Sequence, residues 1–371
     1  MARTLVVSND FPPRIGGIES FVSDLCELLD RDVVVLTSGP PGAAVTDMHR
    51  GYPVVRRGGL LLPTPAVAQE AARLLRSSGA DRVLFGSAAP LGLLAPSLRR
   101  AGARQLVGLT HGHEVWWSRV PAARSLLHRV GDGCDHLTTI SDFTTVAVAS
   151  VLSPSARERL LRMPPPVDLS RFSPGPTPVG PARCVAVGRF VRQKGFDTLL
   201  RAWRLVLDQW PSTTPGPELV LVGDGPQRAR LTAVAAALRL GDSVSMTGAL
   251  PRHAVLAELR RARVFALPVR SRWQGLYAEG LGLAAVEAAA CGLPVVVGRS
   301  GGAPETVQDG RTGVVVAPDD PPAVADAVRT LLLDPGRAAA LGAAGRAYVG
   351  ARFGAGAVRT TLRAALALDE T

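Results

Sequence analysis

A chain of 371 residues, 47% apolar with 39 glycines, is long enough for two α/β domains and too apolar to be disordered. Its net charge of +11 rests almost wholly on arginine, with Lys194 the one lysine. That balance admits phosphorylated ligands or an anionic membrane. Nucleic acid is disfavoured, because no Lys/Arg run of five, zinc-finger spacing or aromatic-basic motif occurs. Cys26, Cys134, Cys184 and Cys291 stand apart and read as buried free thiols of a reducing compartment. The first apolar run is too short for a signal peptide. The longest apolar stretch, 280–298, contains Glu287 and Pro294, so no transmembrane helix is expected.

In chain order, residues 4–8 predict a short buried strand of the parallel kind. Asn9-Asp-Phe-Pro-Pro-Arg-Ile-Gly-Gly17 follows, then an amphipathic helix to about Leu29. Strand, Gly-Gly loop and helix together can present backbone N–H groups to an anion. The dinucleotide Gly-x-Gly-x-x-Gly fingerprint is absent. Strands are expected at 33–37, 53–57, 82–86 and 105–110, with a helix over 66–77. Leu60-Leu-Leu-Pro-Thr-Pro65 reads as an exposed apolar loop, and 119–129 as an amphipathic basic stretch. His111-Gly-His-Glu-Val-Trp-Trp117 falls at the carboxyl end of a strand, where open α/β sheets bind ligands. Its spacing could suit a metal, but no third ligand is evident. Residues 137–141 form another strand, and the proline-rich 163–178 reads as a stiff linker and domain boundary.

The second half restarts the alternation. Strands are expected at 184–188, 219–222, 243–248, 264–268, 294–298 and 313–316. Helices are expected near 196–210, 252–261, 321–333, 336–350 and 355–368. Arg189 and Lys194 flank a βα loop and supply the planar fork and the point charge that suit a diphosphate. Gly223-Asp-Gly225 lacks the third glycine of a nucleotide fingerprint. Glu279-Gly-Leu-Gly-Leu-Ala-Ala-Val-Glu287 carries two carboxylates eight residues apart, able to share one face. A carboxylate among Ala, Val and Leu needs a partner, and a hydroxyl-rich ligand is a suitable one. Arg299-Ser-Gly-Gly-Ala-Pro-Glu305 again offers backbone N–H groups beside a helix start.

Together, Gly16-Gly17, Gly188-Arg189…Lys194-Gly195, the Glu-x7-Glu element and Ser300-Gly301-Gly302 resemble the retaining glycosyltransferases of family 4 over nearly the whole chain. Asn9–Ile18, Leu62–Pro65, Thr110–Val115 and Gly301–Val307 are similar to the actinobacterial phosphatidylinositol mannosyltransferases, in particular those acting on the monomannoside. The resemblance implies the α/β GT-B fold: two Rossmann-like parallel-sheet domains facing across a cleft, with a C-terminal helix crossing back. The domains would span 1–166 with the returning helix 352–371, and 167–351. It implies a nucleotide-sugar donor, GDP-mannose foremost. The acceptor would be a phosphatidylinositol-based lipid at the inner membrane face, with no cofactor and no metal. Arg189 and Lys194 would hold the diphosphate, with Gly16 and Gly17 closing over it. Glu287 would bind the ribose, and the base would lie near Leu250. Glu279, Gly280, Leu281 and Gly282 would bind the transferred sugar. His111 would sit near the anomeric carbon. Asp10, Arg14, His113 and Glu114 would meet the acceptor.

Arg270-Ser-Arg-Trp-Gln-Gly-Leu-Tyr277 and the patternless 38–52 depart from the wider family, so another sugar nucleotide or a small-molecule acceptor stays open. An epimerase of the same architecture would need its own acidic and histidine set. A NAD enzyme lacks its glycines, and a binding module would not need paired phosphate and carboxylate motifs.

Overall fold

The structure is a computed structural model and describes residues 4–368 except 15, 40–42, 44–46, 177–179 and 274. Ile15, Gln274, part of the 163–178 stretch and part of 38–52 therefore lie outside the described residues. The chain divides into two compact units, 1–166 with 355–371, and 167–354.

The first unit holds seven parallel strands in the order β3-β2-β1-β4-β5-β6-β7. They are β1 Thr4–Ser8, β2 Val33–Ser38, β3 Val54–Arg57, β4 Arg82–Phe85, β5 Gln105–Leu109, β6 His136–Thr139 and β7 Leu160–Arg162. β1, β2 and β4 are buried along their whole length, which is why they read as unbroken apolar runs. The second unit has six, in the order β10-β9-β8-β11-β12-β13. They are β8 Arg183–Val187, β9 Glu218–Val222, β10 Val244–Gly248, β11 Val264–Leu267, β12 Val295–Gly298 and β13 Gly313–Val316. Both expected parallel sheets are present. In each, strand order reverses beside the central strand, at β1/β4 and at β8/β11. Loops leaving the carboxyl ends of those strands are where such sheets open a crevice.

The returning helix is Ala355–Ala365, three residues later than 352, because Pro335–Phe353 is one continuous helix of the second unit. Arg82 holds its end in the first unit: Nε donates to Leu366 O at 2.7 Å and Nη2 to Ala367 O at 2.8 Å. Gln105 Nε2 donates to Ala365 O.

Two expectations are corrected. The proline stretch holds the division between the units, at 166/167, and its first part, Met163 to Val167, is buried chain packed into the protein and not a bare linker. Proline cannot donate to a ladder, yet it packs like any apolar residue. Leu61 is 0% exposed, while Leu60 and Leu62 are 62% and 52% exposed. The Asn9 amide accounts for this, donating to Leu61 O at 2.9 Å and accepting from Leu61 N at 2.7 Å, so one side chain replaces a strand neighbour.

Candidate active site

In the second unit three loops converge. After β8, Arg192–Lys194 makes one turn of 3₁₀ helix that ends at Gly195, φ 69°. A Cβ on Gly195 would strike the Pro268 carbonyl, so this loop lies directly against the one leaving β11. The Lys194 stem runs over Gly188, and its Nζ donates to Glu279 Oε2 at 2.6 Å. Glu279 is in the β11 loop, and its carbonyl accepts from Gly302 N, 2.8 Å away, in the loop after β12. Gly301 leaves no room for a side chain against the Glu279 backbone.

Gly282, φ 100°, then starts the helix Leu283–Ala290 with no side-chain cap. That leaves a helix N-terminus beside Glu279, a setting that favours negative charge. Leu281 is buried, so only its backbone is offered there. Glu287 is 8% exposed, the one charged residue of this apolar helix. It faces Arg252 Nη2 at 3.1 Å, and the Arg252 guanidinium lies 5.2 Å from the Phe172 ring centroid. The two glutamates thus have separate cationic partners. Leu250, half-buried, bridges β10 and the helix Arg252–Arg261. Arg189 is exposed and pairs with no described carboxylate. Gly223 and Gly225 serve packing: a side chain on either would strike the backbone of Gly188 or Phe190.

In the first unit, the β1 loop carries Asp10, Arg14, Gly16 and Gly17. Asp10 Oδ2 accepts from Ser87 Oγ at 3.1 Å, and Arg14 donates to Asn9 O at 3.3 Å. Gly16, extended, precedes the helix Gly17–Leu28, which has no side-chain cap. The Glu19 carboxylate folds over Gly16, so the protein's own anion lies against this helix start. Burial raises the Glu19 carboxyl above its ordinary 4.5, only partly opposed by its backbone hydrogen bond.

The β5 loop places His111 half-buried, its Nε2 on the Gly86 carbonyl and its ring edge-to-face with Phe21 at 5.6 Å. A carbonyl only accepts, so Nε2 carries the proton and Nδ1 keeps a lone pair. Burial lowers the His111 pKa below 6.5, outweighing Glu114 and the Gly86 carbonyl, which raise it. His113 is exposed and stacks on His111 at 6.2 Å. Glu114 does not face an acceptor: it is 0% exposed. Its Oε2 accepts from His111 N at 2.9 Å and Gly112 N at 3.0 Å, and Oε1 lies 3.2 Å from His113 Nε2. It holds the histidine loop from beneath.

Residues 15–171 match the family described as Glycosyltransferase Family 4, and 172–348 that described as Glycosyl transferases group 1. A GDP-mannose-dependent α-(1-6)-phosphatidylinositol monomannoside mannosyltransferase of Mycolicibacterium smegmatis is 44% identical over 358 residues, 92% of each chain. The Mycobacterium tuberculosis protein of the same name is 42% identical over 371 residues, 95% of each. The chain belongs to glycosyltransferase family 4. Its fold is shared with Anabaena HepE, TM-score 0.80 at 16% identity, covering 99% of this chain and 100% of that one. Sucrose-phosphate synthase of Thermosynechococcus elongatus gives 0.79 at 23%, covering 97% of each.

For this glycosyltransferase, sequence reasoning missed Arg252, Glu19 and Arg270. Arg252 begins a helix and looks like any solvated cation. Only the fold brings it to Glu287, 35 residues away. Glu19 is legible as an acid in a first helical turn. A further group, Asp47 with Arg50 and Arg56, arises in the patternless 38–52 region and beside it. Arg56 grips Asp47 with two bonds of 2.6 and 2.8 Å and donates to Pro12 O, tethering the β1 loop. Among the described residues no three His, Cys, Asp or Glu side chains group as metal ligands, and no helix is long and apolar enough to cross a membrane.

Proposed function

We propose that this enzyme moves mannose from GDP-mannose to a phosphatidylinositol mannoside, retaining the anomeric configuration and without a metal ion. The observation that carries this reading is the full-length likeness to the mycobacterial monomannoside mannosyltransferases. The second unit supplies the donor chemistry. Lys194 and Arg189 take the diphosphate, and the Gly282 helix start adds backbone N–H groups to stabilise the leaving phosphate. Lys194 then exchanges Glu279 for phosphate, and Glu279 accepts from hydroxyls of the transferred sugar. Glu287, fixed by Arg252, accepts from the ribose hydroxyls. In the first unit the loop of Gly16 and Gly17 offers backbone N–H groups at an uncapped helix start, a setting that suits a phosphate. His111 offers its Nδ1 lone pair to a sugar hydroxyl, and exposed His113 and Arg14, with half-buried Asp10, take the acceptor headgroup.

The first unit also carries the lipid-facing surface. Leu60 and Leu62 are exposed, as are Arg119, Arg124 and Arg129 in and just before the helix Pro121–Gly133. Apolar anchors with cations suit the anionic cytoplasmic leaflet. The deciding experiment incubates purified protein with GDP-mannose or UDP-sugars and vesicles holding phosphatidylinositol monomannoside. Mass spectrometry should find one added hexose from GDP-mannose. Transfer to soluble acceptors alone would refute the lipid assignment.

A further inference from the structure

We infer that Arg270 is a positioning residue for the donor diphosphate, acting through Lys194; this rests on the donor reading above. The turn Arg192–Lys194 is short, and the cation it presents stands on a flexible stem. Something must hold that turn in place. Arg270, the third residue past β11, does so with both main chain and side chain. Its backbone N donates to Gln193 O at 2.8 Å, and its Nε donates to Arg192 O at 3.0 Å. These are the carbonyls of the two residues that precede Lys194.

The same guanidinium reaches forward. Nη2 meets Asp197 Oδ1 at 2.6 Å, and Nη1 meets Thr198 Oγ1 at 3.1 Å, both in the first turn of the helix Phe196–Asp208. The Arg270 and Asp197 side chains are only 13% and 10% exposed, so their charges are largely withdrawn from water and paired. Asp197 also faces Arg201 at 3.3 Å and Arg230 at 3.9 Å, which keeps it compensated if Arg270 is removed. Asp319, the remaining partner at 3.1 Å, is solvated and adds little.

The next residue ties the other side. Ser271 Oγ lies 2.8 Å from Ser300 Oγ, in the β12 loop whose Gly302 N–H holds the Glu279 carbonyl. Residues 270 and 271 therefore link the loop of Lys194 to the loops that hold Glu279. A lysine at 270 keeps the charge but lacks the planar fork that meets a carbonyl and a carboxylate at once.

The test is calorimetric titration of GDP into wild type, R270A, K194A, R270A/K194A and D319A. R270A should weaken GDP binding roughly tenfold, while D319A leaves it unchanged. In the K194A background, R270A should cost less than about twofold, because its effect runs through Lys194. Millimolar guanidinium should restore part of the affinity of R270A and none of that of K194A. If R270A does not fold, R270K takes its place in the same cycle and should show the same coupling. Wild type that binds no GDP overturns the donor reading, and this assignment with it. Wild type that binds GDP, with equal Arg270 costs in the presence and absence of Lys194, overturns this assignment alone.

Discussion

Lys194 Nζ and Glu279 Oε2 lie 2.6 Å apart, so the single lysine of the chain is neutralised by the carboxylate assigned to the transferred sugar. Both side chains are mostly buried, 21% and 16% exposed, so the pair is better defined than a surface bridge. On the donor reading proposed above, a phosphate that reaches Lys194 displaces this internal anion. Glu279→Gln should therefore leave GDP affinity unchanged or higher while transfer falls. Lys194→Ala should lose about 1.5–3 kcal/mol of GDP binding, about tenfold to a hundredfold. Calorimetry beside initial rates tests both. Parallel loss of affinity and rate in Glu279→Gln would place the residue wrongly.

The His111 ring carries a pH prediction. Burial lowers its pKa below 6.5, with Glu114, His113 and Asp10 the charges that face it. The neutral ring is the form that can accept a hydroxyl. Turnover should hold steady as pH falls to 6.5 and decline only below it. Stability has the same sign: between the lowered folded value and 6.5 the unfolded chain binds the extra proton, so stability is lost as pH falls through that window. The acid limb of kcat/KM should vanish in His111→Asn. An unchanged limb in that variant would assign the titration elsewhere.

Glu114 predicts a stability effect with little change in nucleotide binding. Glu114→Ala strands the His111 and Gly112 N–H groups in a buried site and should cost about 2–4 kcal/mol. Thermal unfolding measures this, and a melting temperature equal to wild type would contradict it.

The loop at 60–62 separates packing from membrane contact at adjacent positions. Leu60→Asp and Leu62→Asp should keep the fold and lower co-sedimentation with anionic vesicles at low salt. Leu61→Asp should unfold the protein, because it buries a carboxylate where the Asn9 amide holds the backbone. Vesicle binding unaffected by both exposed-site changes would remove this loop from the lipid surface.

Metal independence is tested directly. Activity in excess EDTA should equal that in magnesium buffer, the phosphate charge being met by Arg189, Lys194 and backbone N–H groups. Loss in EDTA with recovery on adding manganese or magnesium would refute it.

Much of this was legible in the sequence, for a physical reason. Parallel strands buried on both faces leave unbroken runs such as Val33–Ser38 and Val295–Gly298. The site loops follow strands beside the order reversal, where glycines and charges interrupt apolar text. What stayed hidden depends on distant chain. β7 is three half-buried residues with no alternation to read. Leu61 packs in the core while its backbone is held by a side chain 52 positions earlier. Arg270 looked like a departure from family wording, and only tertiary contact reveals it as the brace of Lys194.

The grip of Arg82 on Leu366 and Ala367 has a bearing on biosynthesis. Arg82 is 8% exposed, and two of its bonds end on carbonyls about 284 positions later in the chain. While the ribosome is still making the second unit, the Arg82 guanidinium lacks those acceptors and the segment that covers it. The unit begun first is thus finished last, and a fragment stopping at residue 166 should be poorly stable unless the segment 355–368 is supplied to it.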